Sequence, residues 1–258
     1  MHTCSPKETR TMASPSDTKT ATPRLTFEQL LDRVYQLLKA DISNFSVEAS
    51  NKLIIAALLA YFSKNSKECQ KRGISLQKGL FLSGPVGCGK TSLMRWFGRA
   101  QPRPRFLLVS SRKIARQFLE DGYAVIDKYG YKSFRAKHTG FGSQLQYDQP
   151  ITYCFDDLGL EPGHRRFGND CNVMAEIILD RYDQMNQYGM LTHMTSNLNA
   201  EELEDHYGQR VRSRFKEMFN LISFPPDAPD RRVANSPGHH TVLRAKRELE
   251  KKRIQQDG

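Results

Sequence analysis

Eight consecutive residues, Gly84-Pro85-Val86-Gly87-Cys88-Gly89-Lys90-Thr91, fit the pattern G-x-x-x-x-G-K-[ST]. The pattern has a mechanical reason. Glycines let the backbone turn tightly enough to aim several N–H groups at one point, which suits phosphate oxygens. A lysine at the seventh position neutralises the outer phosphates of a triphosphate, and the hydroxyl of Thr91 is offered to Mg²⁺. Ser92 continues the run at the first turn of the helix expected next, whose positive end favours the same anion.

A second group of oxygens lies downstream, in Ile151-Thr-Tyr-Cys-Phe-Asp156-Asp157-Leu-Gly159. An apolar strand ending in two carboxylates, placed beside the glycine-rich loop in a parallel sheet, would face the same phosphates. Asp156 is then the candidate Mg²⁺ ligand, and Asp157 the group that orients or deprotonates an attacking water. Thr195-Ser196-Asn197 puts a polar tip on another apolar run. Arg210 and Arg214, in Tyr207-Gly-Gln-Arg-Val-Arg-Ser-Arg-Phe215, are four apart and share a helix face. On a neighbouring subunit's γ-phosphate such an arginine acts as a finger in trans.

Positioning these groups requires alternating elements. Apolar runs at Leu80–Ser83, Phe106–Ser110, Ile151–Phe155, Met190–Thr195 and Leu221–Phe224 predict five strands. Between them, helices are predicted over Thr91–Phe97, Arg112–Leu119, Asn172–Gln187 (with Gly189 as its C-cap), Glu201–His206 and Val211–Met218. The order implies an α/β fold in which a parallel five-stranded sheet is covered by helices on both faces. Two further helices are expected upstream, one from Thr26 and one over Ser46–Phe62, with a polar loop over Ser63–Gly73. Residues 1–24, rich in Ser, Thr, Lys and Pro, are expected to be a disordered tail, 25–76 a helical extension, 77–233 the nucleotide-binding core and 234–258 a basic tail.

Composition narrows the function classes. Thirty-nine Lys and Arg against 28 Asp and Glu give a net charge of +11, which suits a polyanionic partner. The five cysteines lack CxxC spacing, which argues against a disulfide framework or zinc ribbon and for reduced thiols in the cytoplasm. His164, His193, His239 and His240 have no metal-ligand spacing. The longest apolar run, Leu53–Phe62, is 10 residues against the roughly 20 that span a bilayer, and the N-terminus has no signal-peptide segment.

Together, the glycine-rich loop, the CFDDLG strand end, TSNLNAEEL (Thr195–Leu203), YGQRVRSRF and FGNDCNVMAEIILDRYD (Phe167–Asp183) resemble AAA+ P-loop ATPases of the DnaC/IstB-like branch, over roughly Lys78–Arg232. The resemblance implies ATP and Mg²⁺ as cofactors, hydrolysis of ATP to ADP and phosphate, and self-association through sites shared between subunits. It gives Asn197 a sensor role, Arg214 the finger role with Arg210 beside it, and Arg232 or Arg231 a second sensor role. It also implies a client, a replicative helicase in a loader or a transposase in a transposition helper. A small-molecule kinase, or a nucleic-acid-binding scaffold with an inactive site, is the reading from another class. Many AAA+ proteins carry Glu where Asp157 stands, so Glu161 is an alternative for water activation. Only 44 residues follow Arg214, so no full lid domain is expected.

A stretch mixing aromatic and basic residues, Tyr123, Lys128, Tyr129, Tyr131, Lys132, Phe134, Arg135, Lys137, His138 and Phe141, is the candidate contact for single-stranded DNA. Local packing of the same aromatics is the competing expectation.

Overall fold

A computed structural model describes residues 25–43, 45–99, 105–138, 145–161, 164–166 and 169–232. The two expected tails, 1–24 and 234–258, lie outside these residues, as do Phe141 and the side chains of Lys137 and His138.

Five strands form one parallel sheet: β1 (Gly79–Ser83), β2 (Leu107–Ser110), β5 (Tyr153–Leu158), β8 (Thr192–Ser196) and β9 (Phe219–Ser223), in the order β2-β5-β8-β1-β9. The chain crosses from β1 to the far edge and works back, placing β1 and β5 on either side of β8. Because side chains alternate along a strand, each strand feeds both faces. Leu80, Leu82 and Cys154 pack with the helices α1 (Phe27–Asp41), α2 (Ala49–Phe62) and α4 (Lys90–Arg99). Phe81, Tyr153, Phe155 and Met194 pack with α5 (Ser111–Asp121), α6 (Tyr123–Tyr129), α7 (Val173–Tyr188) and α8 (Ala200–Met218). The two upstream helices thus complete one of the sheet's two cores. α2 is apolar over nearly its whole circumference, as its sequence LIIAALLAYF requires of a helix buried on most sides.

Local chemistry sets the helix ends. Thr26 and Gln29 close a capping box before α1, and Asn199 and Glu202 close another before α8. Gly189 ends α7 in the left-handed conformation, as its C-cap position demands.

Four differences from the sequence expectations have physical causes. α3 (Ser66–Lys71) occupies part of the expected loop; the Asn65 side chain caps it, and Lys71 and Arg72 pair with Glu68 across one turn. Such a short polar helix has no apolar period to betray it. The two helices expected around Gly208 run almost end to end, broken only at that glycine (φ 80°, ψ 162°). The aromatic and basic stretch forms α6 and an antiparallel hairpin of β3 (Phe134–His138) and β4 (Leu145–Pro150). Its aromatics pack locally in part: Tyr129 is buried, Tyr123 meets Phe118 and Phe134 meets Tyr188 edge to face. Tyr123 and Tyr131 remain exposed, and Lys132 pairs with Asp127. A third, small sheet pairs β6 (His164–Arg166) with β7 (Asn169–Cys171). Among the described residues no helix is long and apolar enough to cross a membrane.

Candidate nucleotide-binding site

The carboxyl ends of β1, β5 and β8 lie level, with Ser83 opposite Ser196 and Leu158 opposite Ser196 across the two ladders. The glycine-rich loop leaves β1 at this end. Gly87 has φ 79°, and a Cβ there would come within 1.8 Å of the Asp230 carboxylate. Gly84 has φ 148°, and its Cβ would strike Phe224 at 2.6 Å. Close approach of a downstream segment therefore fixes these positions as glycine, beyond the turn itself.

The loop delivers Lys90 to the first turn of α4, where the side chain is 4 % exposed. Its ammonium donates to the carbonyls of Gly84 (2.7 Å) and Pro85 (2.8 Å) and to the Asn197 side-chain oxygen (2.6 Å). All three acceptors are neutral. Burial lowers the lysine's pKa, and the Cys88 sulfur and the Asp157 carboxylate raise it in part.

Next to it, Thr91 Oγ1 donates to Asp156 Oδ1 at 2.8 Å, and Thr195 Oγ1 donates to the same oxygen at 2.7 Å. Asp156 is 5 % exposed. The Asp156 carboxylate and Thr91 hydroxyl, hard oxygens in contact at the mouth of the phosphate loop, form a donor set that fits Mg²⁺. Pairing slips between Phe155 and Leu158, so that Asp156 and Asp157 occupy an irregularity in β5. Asp157 takes φ 57°, a left-handed conformation that aspartate tolerates better than most residues, and its N–H donates to Thr195 Oγ1 at 3.0 Å. Thr195 thereby holds both acids in place. Burial and the neighbouring Asp156 raise the pKa of Asp157, against the opposing pull of Lys90, Arg232 and Arg112. A carboxylate raised in this way is a better proton acceptor.

Lys90, Thr91, Asp157 and Asn197 line a pocket of about 210 Å³ bounded also by Ile42, Ser43, Phe45, Gly87, Gly89, Ser92, Arg231 and Arg232. The chain between α1 and α2 supplies the wall facing the phosphate loop. Arg231 ties that wall to the loop: its backbone N–H donates to Gly87 O at 3.2 Å, and its guanidinium reaches Ser46 O, Ser46 Oγ and Glu48 and covers the Phe45 ring. Sequence patterning gave no sign of this wall, because Ile42, Ser43 and Phe45 form no motif. Of the two arginines offered as a second sensor, Arg232 is the one felt electrostatically by Lys90 and Asp157.

Several sequence candidates stand elsewhere. Pro85 contributes its carbonyl, Cys88 is buried beneath the loop, and Val86 is exposed at its tip. Arg210 and Arg214 lie on α8 and line no part of this pocket; Arg210 is exposed, and Arg214 sits 4.3 Å over the Tyr182 ring with Glu217 at 3.5 Å. Glu161 is also absent from the lining.

No protein-family profile matches the chain. An uncharacterized protein of Schizosaccharomyces pombe is 26 % identical over 138 residues, a match that takes in 52 % of this chain and 28 % of the relative's length. Among solved structures the fold is similar to DnaI (18 % identity, 74 % of this chain, 93 % of that one, TM-score 0.47). It is also similar to the DnaC helicase loader (15 % identity, 75 % and 99 %, TM-score 0.47). AMPPCP-bound DnaA from Aquifex aeolicus matches at 20 % identity over 72 % of this chain and 50 % of that one, with a TM-score of 0.45. In this chain the glycine-rich loop, the paired acids and the polar strand tip are gathered at one end of a five-stranded parallel sheet.

Proposed function

We propose that the protein is an ATP-dependent AAA+ ATPase of the DnaC-like kind that self-associates through its nucleotide sites and loads or remodels a DNA-bound machine, with a replicative helicase as the client. The observation that carries the ATPase reading is the meeting of two hydrogen-bonded sets at one end of the sheet, Lys90 with Asn197, and Thr91 and Asp156 with Asp157 through Thr195.

In this reading Lys90 exchanges its carbonyl partners for β- and γ-phosphate oxygens, and the loop's N–H groups hold the rest of the triphosphate. Thr91 and Asp156 hold Mg²⁺, which when bound neutralises charge on those oxygens. Asp157 takes the proton of the attacking water, and Asn197 orients that water beside the terminal phosphate. Arg232 adds positive charge at the pocket mouth. Arg214, remote from its own chain's pocket, serves the site of a neighbouring copy. Charge supports a nucleic-acid partner: the net +11 and the exposed Tyr131 and Arg135 suit single-stranded DNA.

Sedimentation velocity tests the shared-site part. With ATP and Mg²⁺ the protein is expected to form a larger species than without nucleotide, and Arg214→Ala is expected to keep ATP binding while losing about 10³-fold in turnover. A monomer under every nucleotide condition, or unchanged turnover in Arg214→Ala, would refute shared sites. Recovery of a replicative helicase on the ATP-bound protein supports the client assignment; recovery of a transposase instead would replace it.

A further inference from the structure

Just past the paired acids the chain makes a second polar contact that the phosphate chemistry does not use. Glu161, three residues beyond Leu158, turns back on the end of β5. Its Oε2 accepts the Gly159 N–H at 2.9 Å, and its Oε1 accepts the hydroxyl of Tyr207, which is 7 % exposed. Burial raises the Glu161 pKa, while the bonds from Tyr207 and Gly159 and the charge of His206 lower it. A carboxylate with both oxygens engaged this way, and outside the pocket lining, is poorly placed to take a proton from water at the phosphates.

What Glu161 touches is more informative. Tyr207 is the last residue before Gly208, the one break in α8, where φ 80° and ψ 162° separate a first helical stretch from a second. The second stretch carries Arg210 and Arg214. Separate bonds hold each side of this contact: Ser196 Oγ, on β8, donates to Leu158 O at 2.7 Å at the end of β5, and Asn172 Nδ2, at the α7 N-cap, donates to His206 O on α8 at 2.7 Å. The strand that ends in Asp156 and Asp157 is therefore pinned, two to four residues later, to the hinge of the arginine-bearing helix.

We infer that Glu161 is a positioning residue and not the base: through Tyr207 it latches the α8 hinge to the end of β5, fixing the angle at which Arg210 and Arg214 are presented relative to the same chain's Asp157. A glycine with these dihedrals gives α8 a swivel, and a helix joined by a swivel needs a second tether to hold one orientation. The latch is that tether. It makes the acids that act in one site and the arginine offered to the next move as one body. This inference rests on the ATPase reading above.

The test is a double-mutant cycle on the full chain with Tyr207→Phe, Glu161→Gln and both together, following turnover, ATP affinity and hydrogen exchange around Gly208. Tyr207→Phe is expected to lower kcat roughly tenfold with KM within about twofold, since misplacement of a catalytic group acts on rate. The double variant should be no worse than the poorer single one. The acid limb of the pH–rate profile should survive in Glu161→Gln, because both Glu161 oxygens are engaged by Gly159 and Tyr207 and the side chain takes no proton from water. Amides near Gly208 should exchange about tenfold faster in Tyr207→Phe. Loss of the acid limb in Glu161→Gln would make Glu161 the base and overturn the inference, as would Tyr207→Phe turnover and exchange equal to wild type, or kcat, ATP affinity and thermal midpoint collapsing together. A wild type that binds ATP without turning it over would refute the ATPase reading instead. The exchange comparison would then decide the latch by itself.

Discussion

Two cations are buried at opposite ends of the same sheet, and they have opposite meanings. Lys90 lies at the carboxyl ends of the strands, and Arg181, on α7, at their amino ends. Both donate to neutral acceptors. Arg181 engages four of its five N–H groups: Nε donates to Thr192 Oγ1 at 2.6 Å, Nη1 to Tyr129 O, and Nη2 to Ile151 O and Leu191 O, each at 2.9 Å. The guanidinium also lies over the Tyr153 and Phe155 rings and is 0 % exposed. It joins α6, β5 and β8 at a closed junction. Lys90 holds two carbonyls of the glycine-rich loop, one amide oxygen and, at 3.7 Å, the Cys88 sulfur, and it opens on a pocket. Burial of a charge therefore does not mark a site. A site is marked where the partners can be exchanged for a ligand.

If the contrast holds, Arg181→Met should harm folding alone, since it leaves three carbonyls and a hydroxyl without their donor. The expected loss is about 3–5 kcal/mol of unfolding free energy, read from denaturant midpoints with saturating and without nucleotide. A variant as stable as wild type would erase the distinction. Asp156→Asn sharpens the other side. It should leave the thermal midpoint within a few degrees and remove the Mg²⁺-dependent part of ATP affinity, roughly 30-fold or about 2 kcal/mol. Equal affinity with and without Mg²⁺ in the wild type would contradict that role.

A pH-dependent effect concerns His193, also at the closed end. Its Nδ1 accepts the Leu80 N–H at 3.0 Å, and the ring packs among Tyr61, Phe62 and Phe106. Burial, with a contribution from Arg181, pulls its pKa from 6.5 down to about 3. The folded ring is thus neutral where the unfolded one is protonated. Its stability contribution is complete above pH 6.5 and is lost as pH falls toward 3, by up to about 1.4 kcal/mol per pH unit. His193→Gln, which can still accept from Leu80, should flatten that acid limb of the stability curve; an unchanged limb would assign it to other groups.

The open end of the sheet was legible in the sequence and the closed end was not, for the same physical reason. Phosphate and Mg²⁺ chemistry constrains residue type and spacing along a single stretch, so GPVGCGKT and FDDLG announce themselves. The five strands of the parallel sheet followed from apolar runs between helical periods, whereas their lateral order did not. Arg181 reads locally as one more charged residue on an amphipathic helix, because its partners come from α6, β5 and β8, far away in the chain. Asn220 is similar: its side chain bonds Ser75, Lys78 and Gly79, tying β9 to the entry of β1. The Ile42–Phe45 wall and the Glu161–Tyr207 bond were hidden likewise, since each joins segments that only folding brings together. The β3–β4 hairpin was missed because its alternation, Phe134-Arg-Ala-Lys137 and Leu145-Gln-Tyr-Asp148, is only four residues long in each strand and sits in a polar stretch.

The central claim is that Lys90 serves a ligand and not the fold. Titration calorimetry of the wild type and Lys90→Ala with ATP and Mg²⁺, on samples whose thermal midpoints agree, tests it most directly. The account predicts saturable binding by the wild type and a loss of roughly 100-fold, about 3 kcal/mol, in the variant. Equal binding by both proteins, or no uptake by folded wild type, would contradict it.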